Sequence, residues 1–385
     1  MNTNNVLRQI TYEIYKQRPV MPERMRTNYR IERANGGLLC DLWFLTIGCI
    51  HDARGGCVMC NYGKGSGAVH WDKILNELKK IVECLPWEFE DFLLTPSGSM
   101  LDEREVSKSM REDLCGILKG IKTKRFIIES RADTISTEGL NFVKKAVPDA
   151  DKYIEIGVES SDNWILKHCI NKNTTYGIFR DAVEKIHHAG MYVTANIGLG
   201  YPFMSEKAAI SNTVRSIKDV LNDGADSVVL FPYHIKKGTL LNVLSENGMY
   251  SCVSFWSLAE VLGHFSETEL SKIQISWYKD YFGEEKSYIC GSPGTCLNCE
   301  REVLKELDEY RETQNPEIIR KLRKYPCLCH AEWKKRMERE NGRVDIERTE
   351  EEYRKLAKIY NIDLQLLEQE IGIMKDEFMR RYENE

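Results

Sequence analysis

The chain is predicted to be an α/β protein, with parallel strands joined by crossover helices, forming a closed or partial barrel or an open sheet. Three observations lead there. Six short apolar runs rich in β-branched and aromatic residues alternate with longer segments of helical periodicity. Glycines stand where two of those helical segments should end. The first of two cysteine clusters follows directly on the first apolar run, where such folds keep their active residues.

Taken in order, residues 1–37 form an N-terminal extension. Its opening MNTNNVLRQITYEIYK lacks the apolar segment of a secretory signal, and no apolar run reaches membrane-spanning length. A barrel-like region, 38–235, holds the candidate strands Leu42–Thr46, Asp91–Thr95, Arg125–Glu129, Tyr153–Glu159, Tyr192–Gly198 and Ser227–Phe231. Between them Trp71–Leu85, Arg104–Leu118, Thr175–His188 and Ser205–Asn222 read as amphipathic helices. Ser205 suits an N-cap beside Glu206, and Gly190 and Gly224 suit helix ends. A helical stretch, Thr239–Phe265, opens a C-terminal extension, 236–330, that holds the second cysteine group. Residues 331–385 read as a charged tail of amphipathic helices packed on the body or on a partner.

The balance of 54 basic and 59 acidic residues, a net charge of -5, argues against nucleic-acid binding by overall basicity. With 42% hydrophobic and 29% charged residues, the 385-residue chain can bury a sizeable core and is not disordered. Thirteen cysteines are the outlying count. The chain reads as cytoplasmic, where thiols stay reduced and clustered cysteines suggest metal binding or catalysis before disulfides. Cys40, Cys84, Cys115, Cys169 and Cys252 stand apart and are expected to be small buried hydrophobes. The other eight fall into TIGCIHDARGGCVMCNYG and, further on, CGSPGTCLNC with PCLCH.

Cys49, Cys57 and Cys60 are spaced x7 then x2. Three thiolates can hold three irons of a four-iron cluster and leave the fourth open. A closed zinc site wants four ligands, and His51 could supply the fourth. His51, Asp52 and Arg54 are otherwise expected to be solvated.

Here the chain resembles the radical S-adenosylmethionine (radical SAM) superfamily, with the common x3-x2 spacing lengthened. The longer form resembles the branch that contains the radical SAM subunit of archaeosine synthase, related to elongator and methylthiotransferase domains. Further segments match in order: LTPSGSMLDEREV (94–106), IIESRADTI (127–135), IEIGVESSDNWILKHCINKNTT (154–175), GLGYPFMSEKAAI (198–210), HIKKGTLLNVLSENGMYSCVSFWSLAEVL (234–262) and the late CLNC and CLC pairs. The likeness covers about residues 38 to 335.

The resemblance implies a partial (β/α)6 TIM-like barrel. It also implies a [4Fe-4S] cluster on Cys49, Cys57 and Cys60, with S-adenosyl-L-methionine on the open iron, giving a 5'-deoxyadenosyl radical that abstracts hydrogen from substrate. An outside low-potential electron donor is required. Ser97, Gly98 and Ser99 stand where the superfamily contacts the SAM amino group. Glu129, Ser130 and Arg131 end the third strand, where a carboxylate can meet ribose hydroxyls and a guanidinium the SAM carboxylate. Glu159 points into the mouth if alternation holds, and Asn196 with the following GLGYP turn would lie against the adenine.

Cys296, Cys299, Cys327 and Cys329 make four thiolates in two close pairs, which suit structural zinc or an auxiliary iron-sulfur cluster, with Cys290 and His330 as spare ligands. Zinc is the preferred reading, because closed ligation ties a loop-rich extension to the barrel. For substrate, the resembled branch implies a tRNA nucleobase, a deazapurine carrying a lysine adduct whose carbon–nitrogen bond is cleaved. IKTKR, HIKKG and RKLRK could form a basic approach surface, which the net charge of -5 does not favour. The competing readings are a radical SAM enzyme acting on a peptide or small metabolite, and a non-catalytic metal-binding scaffold.

Overall fold

The computed structural model describes residues 5–20, 26–64, 70–85, 88–280 and 288–382. Helix α1 (Val6–Gln17) is followed by a hairpin of β1 (Thr27–Ala34) and β2 (Gly37–Phe44). Then come α2 (Ile50–Ala53), α3 (Trp71–Cys84), β3 (Glu88–Pro96), α4 (Lys108–Leu118), β4 (Lys122–Ser130), α5 (Thr137–Ala146) and β5 (Asp151–Glu159). Helix α6 (Asn163–Ile165) runs into a π-turn at Leu166–Ile170, and α7 (Tyr176–His188), β6 (Tyr192–Leu199), α8 (Glu206–Asn222) and β7 (Ser227–Pro232) follow. Beyond these lie β8 (Ile235–Lys236), α9 (Leu240–Glu246), α10 (Phe255–Leu262), α11 (Glu267–Leu270), β9 (Ile273–Ile275) and β10 (Ile289–Gly291). The chain ends in α12 (Glu300–Thr313), α13 (Pro316–Leu322), α14 (Leu328–Arg339), α15 (Ile346–Ile359) and α16 (Leu364–Tyr382).

Strands β2 to β7 are parallel neighbours in sequence order, so each crossover carries the chain one place along the sheet. Every strand of this sheet contributes residues to the lining of one cavity of about 640 Å³. The sheet therefore curls around a lumen, and the partial barrel is the architecture. Alternation explains the two faces. Leu42, Phe92, Phe126, Ile128, Ile154, Val193 and Val228 are buried outward under the helices. Asp41, Asp91, Glu129, Glu155 and Asn196 line the lumen on the other face.

Several sequence expectations need correction. The sheet has two strands beyond the six foreseen. β1 pairs antiparallel with β2, and β9 pairs parallel with β7. β1 escaped notice because its residues are mostly half-exposed and polar, and β9 because it is three residues long. The helix expected from Arg104 starts at Lys108, because Arg104 is drawn back onto Asp102 and Ser107 is the N-cap. The stretch Thr239–Phe265 is two helices, α9 and α10, each with its own N-cap (Thr239 and Ser254). Ser205 does cap α8, accepting from Ala208 N at 3.1 Å, and Gly190 and Gly224 take positive φ beyond their helices. Of the five separate cysteines, Cys40 and Cys169 are buried, Cys115 and Cys252 are half-buried, and Cys84 is exposed.

A second core lies beside the barrel. It joins Val6, Leu7 and Ile10 of α1 to Val58 in the cysteine loop, to Trp164 and Ile165, and to Tyr353, Leu367 and Met374 of the last two helices. The tail thus packs on the body.

Candidate functional site

The first cysteine loop leaves the C-terminal end of β2. Cys49 precedes α2, and Cys60 N donates to Cys57 O at 3.2 Å, closing the tight CxxC turn. All three cysteines line the cavity. Burial pushes the thiol of Cys57 up to about 12, that of Cys49 up to about 11, and that of Cys60 well above the usual range. They are thiols until a metal ionises them. Among the described residues, the ligand atoms that gather within 4.8 Å of one another are those of the second cysteine group, not of this one. Cys49, Cys57, Cys60 and His51 do not gather three ligand atoms within that distance, a spread unlike that of a closed single-ion zinc site. A spread of three thiols around one cavity fits a multi-iron cluster. Several cavity-wall atoms, among them His51 Nε2, Asn196 Oδ1, Asn35 Oδ1 and Thr174 Oγ1, have no hydrogen-bond partner among the described residues, so the wall also retains capacity for a polar ligand.

The expected cofactor-binding residues divide. Gly98 lines the cavity, and a Cβ there would collide with the Glu105 carboxylate and lie 3.5 Å from Cys49 Cα, so only glycine lets the β3 turn approach the loop. Ser97 and Ser99 do not line it. Ser97 Oγ accepts from Thr46 N at 2.7 Å, and Ser99 N donates to Glu105 Oε2 at 2.6 Å. The hydroxyls of Ser99, Ser130 and Thr134 bond one another at 2.7 to 2.9 Å. Ser130 still reaches the lining. Arg131 is engaged by Asp102, by Glu105 at 2.7 Å and by Asp133 at 3.2 Å, and its Nη1 lies 3.8 Å from Cys49 Sγ. Despite burial, Arg104 and Arg131 hold Asp102 down to about 2.

Glu159 lines the cavity in a left-handed conformation, φ +69°. Lys172 Nζ donates to its Oε1 at 2.9 Å and the Tyr233 hydroxyl to its Oε2 at 3.1 Å. Lys172 arrives through Asn171, the left-handed residue that ends the π-turn. Burial opposes its charge, but Glu159 and then Cys57 raise its pKa above the ordinary value.

Deeper in the lumen Glu129 and Glu155 face each other as register partners on β4 and β5. Asp91 is bound by Arg125 at 2.5 and 2.8 Å, and Asp41 by Arg30 at 3.2 Å. Among the described residues Glu129 has no such partner, and Glu155 has only the Asn196 amide at 2.8 Å. Burial, and then the charges of Glu155 and Asp41, push the Glu129 carboxyl well above its usual range. Burial raises Glu155 to about 7 against the pull of Asn196.

The second group closes tightly. Sγ–Sγ distances are 3.6 Å for Cys296–Cys299, Cys296–Cys327 and Cys299–Cys329, and 3.4 Å for Cys327–Cys329. Four sulfurs at about 2.3 Å from one tetrahedral ion would be about 3.8 Å apart. Trp256 Nε1 donates to Cys329 Sγ at 3.4 Å, a donor that favours a thiolate. The spares stand elsewhere: Cys290 Sγ donates to Asn242 Oδ1 at 2.8 Å, and the His330 ring stacks on Trp256 with centroids 4.2 Å apart.

Sequence reasoning missed Glu155, Lys172, Tyr233 and Glu105. Alternation back from Glu159 could have found Glu155. The others come from a π-turn and loops that carry no periodic signal.

No protein-family model matches the chain. Among curated proteins, the archaeosine synthase subunit beta of Methanosarcina acetivorans is 28% identical over 306 residues, 77% of this chain and 84% of that protein. The protein of the same name from Thermococcus kodakarensis is 28% identical over 314 residues, 78% and 91% of the two chains. Among solved structures, an Elp3 from Methanocaldococcus infernus superposes with a TM-score of 0.43 at 19% identity, covering 62% of this chain and 58% of that one. Methylornithine synthase superposes with a TM-score of 0.46 at 13% identity over 70% of each chain. The likeness to archaeosine synthase that the motifs suggested is met by these two relatives.

Proposed function

We propose that this enzyme holds a [4Fe-4S] cluster on Cys49, Cys57 and Cys60 and acts on a modified nucleobase of tRNA, freeing an amidine from a lysine adduct by carbon–nitrogen cleavage. The observation that carries the cluster is three thiols of one loop lining one cavity. When bound, the cluster with S-adenosylmethionine supplies a carbon-centred radical for hydrogen abstraction. The protein's part is binding and orientation. Arg131 and Lys172 set positive charge beside Cys49 and Cys57. Gly98 admits the cofactor's polar end, Glu159 accepts from hydroxyls, and Asn196 offers its unpartnered oxygen. Glu129 and Glu155 supply the acceptors that an amine-bearing adduct requires.

The names of the relatives support the tRNA substrate and a partner subunit. Thirteen unpaired thiols support a reducing, cytoplasmic setting. No helix of the described residues is long and apolar enough to cross a membrane. The close sulfur spacing supports zinc at the second group. A peptide or small metabolite is the second reading. It is favoured by ion pairs in two of the three basic segments: Lys124 pairs with Glu90, Lys321 with Glu306 and Arg323 with Glu260.

The test is anaerobic reconstitution followed by dithionite and S-adenosylmethionine. Methionine and 5'-deoxyadenosine are expected, and Cys57→Ala should abolish both the products and the iron absorbance of the first site. No cleavage by the wild-type chain would overturn the enzyme reading. Salt-sensitive binding of tRNA carrying the adduct separates the substrates, because phosphate contacts weaken steeply with salt. Absence of binding at low salt favours the peptide or metabolite.

A further inference from the structure

Of the segments outside the family resemblance, the N-terminal extension meets the cysteine loop and the tail packs behind it. The loop's x7 spacing is filled by α2 and a glycine turn, and that insertion is what α1 grips. Thr11 Oγ1 donates to Gly55 O at 2.7 Å, and Arg8 Nε to Arg54 O at 3.0 Å. Gly55 is left-handed, φ +76°, and a Cβ there would strike the Arg8 carbonyl, so helix and loop meet backbone to backbone. Asp52, expected to be solvated, is only 2% exposed. Its carboxylate accepts from Arg18 Nη1 and from Gly63 N, each at 2.5 Å. Arg18, 9% exposed, also donates to the carbonyl of Cys60 at 3.2 Å and to that of Gly238 at 2.9 Å. One guanidinium therefore bridges the insertion, the last cysteine and the chain after β8.

The grip is anchored from behind. Asn5 Nδ2 donates to Glu370 Oε1 of α16 at 3.4 Å, and α1 shares its core with Ile371 and Met374. Val58, inside the CxxC turn, is fully buried in that core, with Ile170 O bonding its N–H at 3.0 Å and Leu241 N its carbonyl at 3.1 Å. A lengthened loop has more ways to present its cysteines than a short one. A buried ion pair adds little net stability by itself, and this one spans the insertion and the last cysteine.

We propose that Arg18 and Asp52 are positioning residues for the iron-sulfur cluster, and that α1, backed by α16, is the strut that fixes the spacing of Cys49, Cys57 and Cys60. This rests on the reading of those cysteines as cluster ligands. Groups that orient metal ligands from behind typically change metal affinity 10- to 100-fold when removed.

The test uses the full chain, reconstituted, as wild type, Thr11→Val and the double variant Arg18→Met/Asp52→Asn. The double variant removes both charges together, so no unpaired charge stays buried. Three readouts are taken: iron lost to a chelator over time, the electron paramagnetic resonance spectrum of the reduced cluster, and circular dichroism as a measure of folding. Folded variants should lose iron about 10- to 100-fold faster, with a broadened spectrum. Unchanged iron loss and spectrum in Thr11→Val and in a folded double variant would overturn the strut. If the double variant does not fold, Thr11→Val alone decides. A wild-type chain that takes up no iron dependent on Cys57 fails on the underlying reading instead, which keeps the two failures apart.

Discussion

Glu129 and Glu155 stand opposite each other in the lumen with too little positive charge around them. Like charges across a register pair destabilise a sheet. The sign follows from the shift. Glu155 titrates at about 7 in the fold, above the ordinary carboxyl value near 4.5. Below about 4.5 both folded and unfolded forms hold the proton and nothing is lost. As pH rises through 7 the unfolded chain ionises first, and the fold loses stability. Glu155→Gln is therefore expected to raise the melting temperature at pH 8, by about 1 to 2 kcal/mol of stability, and to change it little at pH 4.5. Melts at the two pH values check this; an equal shift at both would remove the charge argument. The same variant should weaken substrate without weakening S-adenosylmethionine. At this scale strand alternation made Glu159 legible, and the family resemblance picked out Glu129 and Asn196; all three line the cavity. It was not legible where side chains bond within turns, as those of Ser97 and Ser99 do away from the cavity lining. Asp52 was misread because its partner Arg18 is far away in sequence.

Among the elements, the four-cysteine knot determines how the extension sits. Cys299 is the N-cap of α12 and Cys327 that of α14, so one ion would join the starts of two helices. Around it Trp256, Leu322 and Trp333 are buried in the main core. Cys327→Ser should release the second metal and loosen α12 to α14, seen as protease cleavage near residue 327, while the iron absorbance of the first site persists. Equal loss of iron would show the two sites to be one folding unit. The six parallel strands and most of their helices were readable because period 2 and period 3.6 differ plainly over such lengths. β1 and β9 were not, because an edge strand half open to water and a three-residue strand lack that contrast.

At the scale of the molecule, α1 covers the cysteine loop and α15 and α16 share its core. Tyr353, Leu356, Leu367, Ile371 and Met374 are all buried there by α15 and α16. At about 1.5 to 3 kcal/mol each, their burial is comparable to the whole stability of a typical domain. A chain ending after residue 341 is expected to expose that core and aggregate, as size-exclusion chromatography would report; a soluble, cooperatively melting truncation would contradict it. The curled sheet has two edges, β1 and β9, and helix α12 crosses between them. Arg311 donates to Glu32 Oε1 on β1 at 2.5 Å and to the Ile275 carbonyl on β9. The helix that begins at a metal-site cysteine thus also clasps the barrel's open seam. Whatever widens that seam to admit a bulky ligand must strain the knot, and by reciprocity a filled knot resists the widening. A metal held by the four cysteines would thereby be tied, through α12, to both edges of the barrel.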